Sequence, residues 1–276
     1  MNILQTIGHT PLVQLTNSTT VDEGRVFLKY ERNNPGGSIK DRPALYIIEQ
    51  AEKLGLLKPG GTIIESSGGN FGISLAMIGA VKGYHVIILV DPKTTSTNLA
   101  LLKSFGAEVI VVTQQDDSGS YHKTRISLAN QMAREIENSF RPDQCFNTLN
   151  RQAHYKNTAQ EILADCNNEI DMIITAVSTG GQLGGISKYI KEHMPTVRIV
   201  GVDAEGSAIF GGEAHAYGLY LEASSAILYG ALKKAIMERW VSSDSRIVLI
   251  ATSHGFKNDP DYFERADFIS LISRKK

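Results

Sequence analysis

Residues 62–90 read TIIESSGGNFGISLAMIGAVKGYHVIILV. An apolar run at Thr62–Glu65 leads into a Ser/Gly loop, then a helix-like stretch, then a second apolar run at His85–Val90. Two strands joined through a helix need a crossover connection, and crossovers make parallel pairs. The same alternation repeats outward, with further strand candidates at Glu108–Val112, Asp171–Val177, Ile199–Asp203 and Ile247–Ala251. Between them, Ala44, Ile47, Ile48 and Ala51 keep helical spacing, as do Ile126, Ala129, Ala133 and Ile136. Gly106 follows Leu99–Phe105 where a helix C-cap belongs. The expected fold class is α/β, with mostly parallel sheets and flanking helices. Such sheets place ligands beyond the carboxyl ends of their strands, so the loops after the strands are where chemistry is sought. The polar stretch Thr113–Ser120 reads as an exposed loop, and a boundary falls near Asn138–Arg151.

The chain has 276 residues, 42% hydrophobic and 21% charged, with a formal net charge of −1. That is enough apolar material for a sizeable core in a two-lobed enzyme. The neutral balance gives no global electrostatic case for nucleic acid or an anionic membrane. Cys145 and Cys166 form no CxxC pair and no disulfide framework, which fits a reducing compartment. The start MNILQTIGHTPLVQL lacks the pattern of a signal peptide, and no apolar run approaches the roughly eighteen residues of a membrane span. A cytoplasmic protein is expected.

Three loops could carry chemistry. In Asn34-Pro-Gly-Gly-Ser-Ile-Lys-Asp-Arg-Pro, the Pro-Gly-Gly turn and a capping Ser38 put Lys40 in the first turn of a helix. The helix dipole disfavours a cation there, and an amine that loses proton affinity suits Schiff-base chemistry. A solvated Lys40 paired with Asp41 fits the spacing too. The loop Glu65-Ser-Ser-Gly-Gly-Asn-Phe-Gly stands between strand and helix, where successive N–H groups make an anion site, or where a tight turn simply needs glycine. Asn70 adds an amide to that mouth. The loop Ser178-Thr-Gly-Gly-Gln-Leu-Gly-Gly offers two hydroxyls and close backbone approach, as a phosphate requires, yet matches neither GxGxxG nor the GxxxxGK[ST] loop. There is no HExxH and no GxSxG. The seven histidines are scattered without metal spacing, and Trp240 reads as core or interface.

Together the three loops resemble the fold-type II pyridoxal-phosphate enzymes, the cysteine synthase and threonine synthase superfamily. Gly8-His-Thr-Pro-Leu-Val-Gln-Leu is similar to its N-terminal signature, Asn34–Arg42 to its cofactor-lysine motif, Glu65–Gly72 to its substrate-carboxylate loop, and Ser178–Gln182 to its phosphate loop. Within that superfamily Val90-Asp-Pro-Lys, Ser96-Thr-Asn-Leu, Tyr121-His-Lys-Thr-Arg-Ile and Gly201–Gly211 resemble the branch that makes N-(2-amino-2-carboxyethyl)-L-glutamate from O-phosphoserine and glutamate, for 2,3-diaminopropionate synthesis.

The resemblance implies a two-lobed, tryptophan synthase β-like fold, with lobes at 1–145 and 146–276 and with 13–34 crossing to the other lobe. It implies pyridoxal 5'-phosphate held covalently by Lys40, which then serves as general base. It implies Asn70 at the cofactor ring, Ser178, Thr179, Gly180, Gly181 and Gln182 around its phosphate, and Ser224 (or Ser225) at the pyridine nitrogen. Ser67, Gly68, Gly69 and Phe71 would meet the substrate carboxylate, and Arg125 the phosphate of phosphoserine; on helix periodicity alone, Arg125 equally fits an exposed position. The expected partners are small amino-acid substrates and a second copy of the chain, with no nucleic acid, membrane or metal.

Several features depart from the family. Gly68 stands where a serine or threonine is usual. The stretch Phe146-Asn-Thr-Leu-Asn-Arg-Gln-Ala-His-Tyr reads as shortened, without the family's glutamine and aromatic. Several dozen residues are missing after Gly218, and Ser253–Asp261 is closer to a threonine synthase tail. Loss of a strand and helix from a packed sheet would expose apolar area. The resemblance therefore also admits a cysteine synthase-like enzyme using sulfide, or a shortened cofactor-binding protein without turnover.

Overall fold

The computed structural model describes residues 1–15, 25–203, 226–242 and 244–253. Two sheets form the frame. One contains β3 (Thr62–Ser66), β4 (His85–Val90), β5 (Glu108–Val111) and β6 (Ser139–Phe140), all parallel, in the order β5-β4-β3-β6. The other runs β1 (Leu12–Gln14), β2 (Val26–Tyr30), β9 (Ile247–Ala251), β7 (Met172–Ala176) and β8 (Arg198–Val202), parallel except for β1. All six expected strands are present, with ends moved by a residue or two. Three strands were not expected. β1 and β6 are too short to show a period, and the apolar run of β2 is broken by Lys29. That lysine is fully buried, donating to the Thr10 carbonyl at 2.6 Å and to Asp165 at 2.7 Å.

Helices α1 (Asp41–Lys53), α2 (Asn70–Lys82) and α3 (Ser96–Ser104) accompany the first sheet, as does α4 (His122–Glu135). Ala44, Ile47, Ile48 and Ala51 of α1 pack with Phe71, Ile73, Leu75 and Ile78 of α2 and with Ile63 and Ile88 of the sheet. α2 has apolar residues on all sides, as a helix enclosed by core must. Ala129 of α4 covers the opposite face with Ile64, Ile87 and Leu89. Ile136, expected inside that helix, instead turns extended at its C-cap. α3 ends at Ser104 with Gly106 two residues on at φ 81°, where the cap was expected. α5 (Thr148–Ala153), a π-helical turn at His154–Thr158, α6 (Ala159–Asp165), α7 (Gly181–His193) and α8 (Ala226–Met237) surround the second sheet. Among the described residues no helix is long and apolar enough to cross a membrane.

Because the strands are parallel, their carboxyl ends gather on one side. Ser66 at the end of β3, Asp91 after β4, Val177 after β7 and Thr252 after β9 all line one cavity of about 490 Å³.

Candidate active site

Lys40 stands in this cavity, directly before α1 and not in its first turn. Its loop is tied down on three sides. Gly37 N–H donates to the Asn34 carbonyl at 2.7 Å, Ser38 Oγ accepts from Lys40 N–H at 3.2 Å, and Ile39 N–H donates to the Thr252 carbonyl at 2.8 Å. The last bond fixes the lysine to the end of β9. Asp41, fully buried, accepts from the Gly36 N–H and the Ser74 hydroxyl. Lys40 makes no ion pair with a carboxylate among the described residues. Burial pushes its amine down to about 8 from the usual 10.5, with the Cys145 sulfur acting weakly the other way.

The loop after β3 forms one wall. Ser67 Oγ accepts from Gly72 N–H at 3.2 Å and from Gln144 Nε2 at 3.4 Å. Asn98 Nδ2 donates to the Gly68 carbonyl at 3.0 Å. Asn70 opens α2 at the cavity, and Gly69 caps it. Phe71 faces the cavity only at its edge and is otherwise a core residue, 1% exposed. The space beside Gly68 is taken by Thr94: a Cβ there would lie 2.4 Å from the threonine hydroxyl.

The loop after β7 forms the opposing wall, with Ser178, Thr179, Gly180 and Gln182 at the cavity. Gly180 has φ 79° and an added Cβ would meet nothing, so backbone conformation and not space demands glycine here. α7 starts at Gly181, and its first intrahelical bond runs from Gly184 N–H to the Gly180 carbonyl at 2.8 Å. The N–H groups of Gly181, Gln182 and Leu183 precede that bond and have no intrahelical acceptor. The Gln182 side chain turns back to donate to the Thr175 hydroxyl, which leaves its backbone for any ligand.

Arg125 in α4 reaches the same cavity. It is not a solvated surface residue: its side chain is 13% exposed and pairs with Asp91 at 3.3 Å, and its Nε has no partner. The structure thus brings Lys40, Ser67, Gly68, Gly69, Asn70, Phe71, Arg125, Ser178, Thr179, Gly180 and Gln182 to one cavity. Gly181 follows as the first residue of α7. Ser224 and Ser225 lie outside the described residues.

The sequence reading missed Asp91, Thr94, Asn98, Gln144 and Cys145, all lining the cavity. Gln144 corrects the expectation that the stretch before Asn150 lacks a glutamine. It precedes Phe146 by two residues and would have been found by counting back from Asn150-Arg-Gln-Ala-His154 without assuming a deletion. Glu65, 1% exposed, lies behind this wall. Burial raises its carboxyl above the usual range despite Arg141 nearby.

An amine with lowered proton affinity, a helix N-terminus with free N–H groups and two hydroxyls, and an amide at a second helix start are the donors a phosphorylated aromatic aldehyde requires. Pyridoxal phosphate therefore fits the residues present, and Lys40 is the amine that lines the cavity with lowered proton affinity. Among the described residues no His/Cys/Asp/Glu group could hold a metal ion.

Residues 3–216 match the family model described as pyridoxal-phosphate dependent enzyme. The chain is 43% identical over 210 residues to an N-(2-amino-2-carboxyethyl)-L-glutamate synthase of Cupriavidus metallidurans, covering 76% of this chain and 62% of that protein. It therefore spans under two thirds of that relative's length. Two solved structures superpose closely. A hydrogen sulfide-producing enzyme from Fusobacterium nucleatum has a TM-score of 0.80 and 29% identity, over 93% of this chain and 97% of its own. O-ureido-L-serine synthase has a TM-score of 0.81 and 28% identity, over 98% of both chains.

Proposed function

The chain belongs to the pyridoxal-phosphate dependent enzymes, and from that premise we propose that it performs β-replacement on an activated serine, O-phospho-L-serine, with L-glutamate as nucleophile. The products are N-(2-amino-2-carboxyethyl)-L-glutamate and phosphate. The Cβ–O bond to phosphate breaks, and a Cβ–N bond to the glutamate nitrogen forms. The observation that carries the reading is Arg125 in the same cavity as Lys40, shielded and held by Asp91.

Bound pyridoxal phosphate supplies an aldehyde that captures amines and a ring that accepts the electron pair left at Cα. Lys40 would hold it covalently, and the lysine amine would be the base for the substrate Cα proton. A proton affinity near 8 keeps a useful fraction of the amine neutral at working pH. The α7 N-terminus, with Ser178 and Thr179, grips the cofactor phosphate. Asn70 orients the ring from the start of α2, and Ser67, Gly68 and Gly69 receive the substrate carboxylate. Arg125 takes the phosphate of the donor with paired N–H groups. In this reading the two sheets are the cores of two lobes dividing near residue 145, and the protein acts as a homodimer.

A second reading uses sulfide as nucleophile, as the resemblance of the three loops to cysteine synthases allows. The test supplies the cofactor-loaded protein with phosphoserine and either glutamate or sulfide, and follows phosphate release and product mass. Phosphate release with glutamate, and the aminocarboxyethyl adduct in the spectrum, is the expected result. Cysteine formation with no glutamate adduct would replace this reading by the second; no turnover with either would overturn both.

A further inference from the structure

We propose that Asn150 is a positioning residue that sets the hydrogen-bond polarity of Thr179 and ties the loop after β7 to the Gln144 loop on the substrate side. This rests on the reading of Ser178–Gly181 as the phosphate cradle. Asn150 is 3% exposed, within α5. Its Nδ2 donates to the Gln144 carbonyl at 2.8 Å and to the Thr179 hydroxyl at 3.0 Å, so both amide hydrogens are engaged, one on each loop. The Gln144 carbonyl can only accept, which fixes which way the amide points. Gln144 in turn reaches Ser67 Oγ at 3.4 Å. A chain of polar groups, Thr179–Asn150–Gln144–Ser67, thereby joins the loops after β7 and β3.

The polarity has a chemical consequence. Thr179 Oγ accepts from Asn150, so its own hydrogen is free to be donated elsewhere, and an anion at the cavity is the natural acceptor. Close approach makes this possible: a Cβ at Gly181 would stand 2.4 Å from the Asn150 side chain. Asn150 Oδ1 has no partner and is shielded from water, so the side chain is not held there for its own satisfaction.

Asn150→Asp keeps the shape and reverses the polarity. A carboxylate would take the Thr179 hydrogen and repel the Gln144 carbonyl. The protein is titrated with pyridoxal phosphate as wild type, Asn150→Asp, Thr179→Val and the double variant; donor KM and kcat are then measured at saturating cofactor. Asn150→Asp should weaken cofactor binding about tenfold, and the double variant should be little worse than Thr179→Val alone. At saturation Asn150→Asp should still raise donor KM about tenfold with kcat changed far less. If Asn150→Asp does not fold, Asn150→Ala removes both donors without adding charge and carries the same cycle. Additive losses in the double variant, or an unchanged donor KM, would overturn the inference while leaving the enzymatic reading intact. A wild type that takes up no pyridoxal phosphate would break that reading and this one with it.

Discussion

Lys40 and Arg42 stand two residues apart at the start of α1, Lys40 half-buried at the cavity and Arg42 fully enclosed, and their surroundings drive them in opposite directions. Lys40 faces the cavity without an ion-pair partner among the described residues, and burial lowers its amine to about 8. Arg42 faces the other side of the helix. Burial disfavours its charge too, but Glu161 and Glu31 outweigh that, and its proton is held more firmly than usual. Its Nε and Nη2 donate to Glu31 at 2.7 and 2.8 Å, and its Nη1 and Nη2 donate to Glu161, both at 2.7 Å. Lys29 extends the cluster, 3.2 Å from Glu161 and 2.7 Å from Asp165. Burial with partners yields scaffold; burial without them yields a reactive group.

The comparison can be broken at either residue. Removing the reactive one should have the largest effect on chemistry and almost none on the fold. Lys40→Ala should cut turnover by about 10²–10⁴-fold from the lost base alone, with covalent cofactor gone and the melting temperature kept or raised. A large loss of thermal stability in that variant would place Lys40 with the scaffold. Arg42→Met should do the reverse, costing about 3–5 kcal/mol of stability because Glu31 and Glu161 are left without their counter-charge. Denaturant unfolding checks this, and a cost under about 1 kcal/mol would show the cluster to be exchangeable surface charge.

A smaller effect is expected at Arg125, a cation intermediate between the two, with one partner and an unpaired Nε. Arg125→Ala should lower kcat/KM about tenfold to a hundredfold for phosphoserine, about 1.5–3 kcal/mol, and much less for O-acetylserine, which lacks the dianion. Equal losses with both donors would remove it from phosphate recognition.

The smallest effects are in pH dependence: stability should rise with pH at both residues, but in separate windows, in base through Lys40 and in acid through Glu161. The unfolded chain binds more protons than the native one between pH about 8 and 10.5 at Lys40, so stability rises with pH across that window. Burial tends to raise the Glu161 carboxyl, but Arg42 overrides this and holds it at about 2. Its contribution is therefore full above its ordinary 4.5 and is lost as pH falls towards about 2. Stability curves in acid and base for wild type, Lys40→Ala and Glu161→Gln separate the two. An acid limb unchanged in Glu161→Gln would contradict the assignment.

Much of this was legible in the sequence because it is local. The Ser/Gly loops after Glu65 and Val177 are punctuation between apolar runs, and the Pro-Gly-Gly-Ser turn announces the helix that follows Lys40. What stayed hidden depends on distant pairing. Lys29 interrupts an apolar strand and finds its counter-charge in Asp165, more than a hundred residues away. Asn150 looks like one polar residue of a short helix until Gly181 is folded against it. Gln144 and Cys145 were obscured by an assumed deletion. Arg125 could not be told from a solvated position by helix spacing, since Asp91, its partner, stands at the end of another strand.

Lys40, which has no carboxylate partner among the described residues, is the lysine proposed to carry the cofactor. Borohydride reduction of the cofactor-loaded protein, followed by peptide mapping by mass spectrometry, tests that role most directly. The expected result is a pyridoxyl group on Lys40 alone. Its appearance on any other lysine, with Lys40 unmodified, would contradict the account.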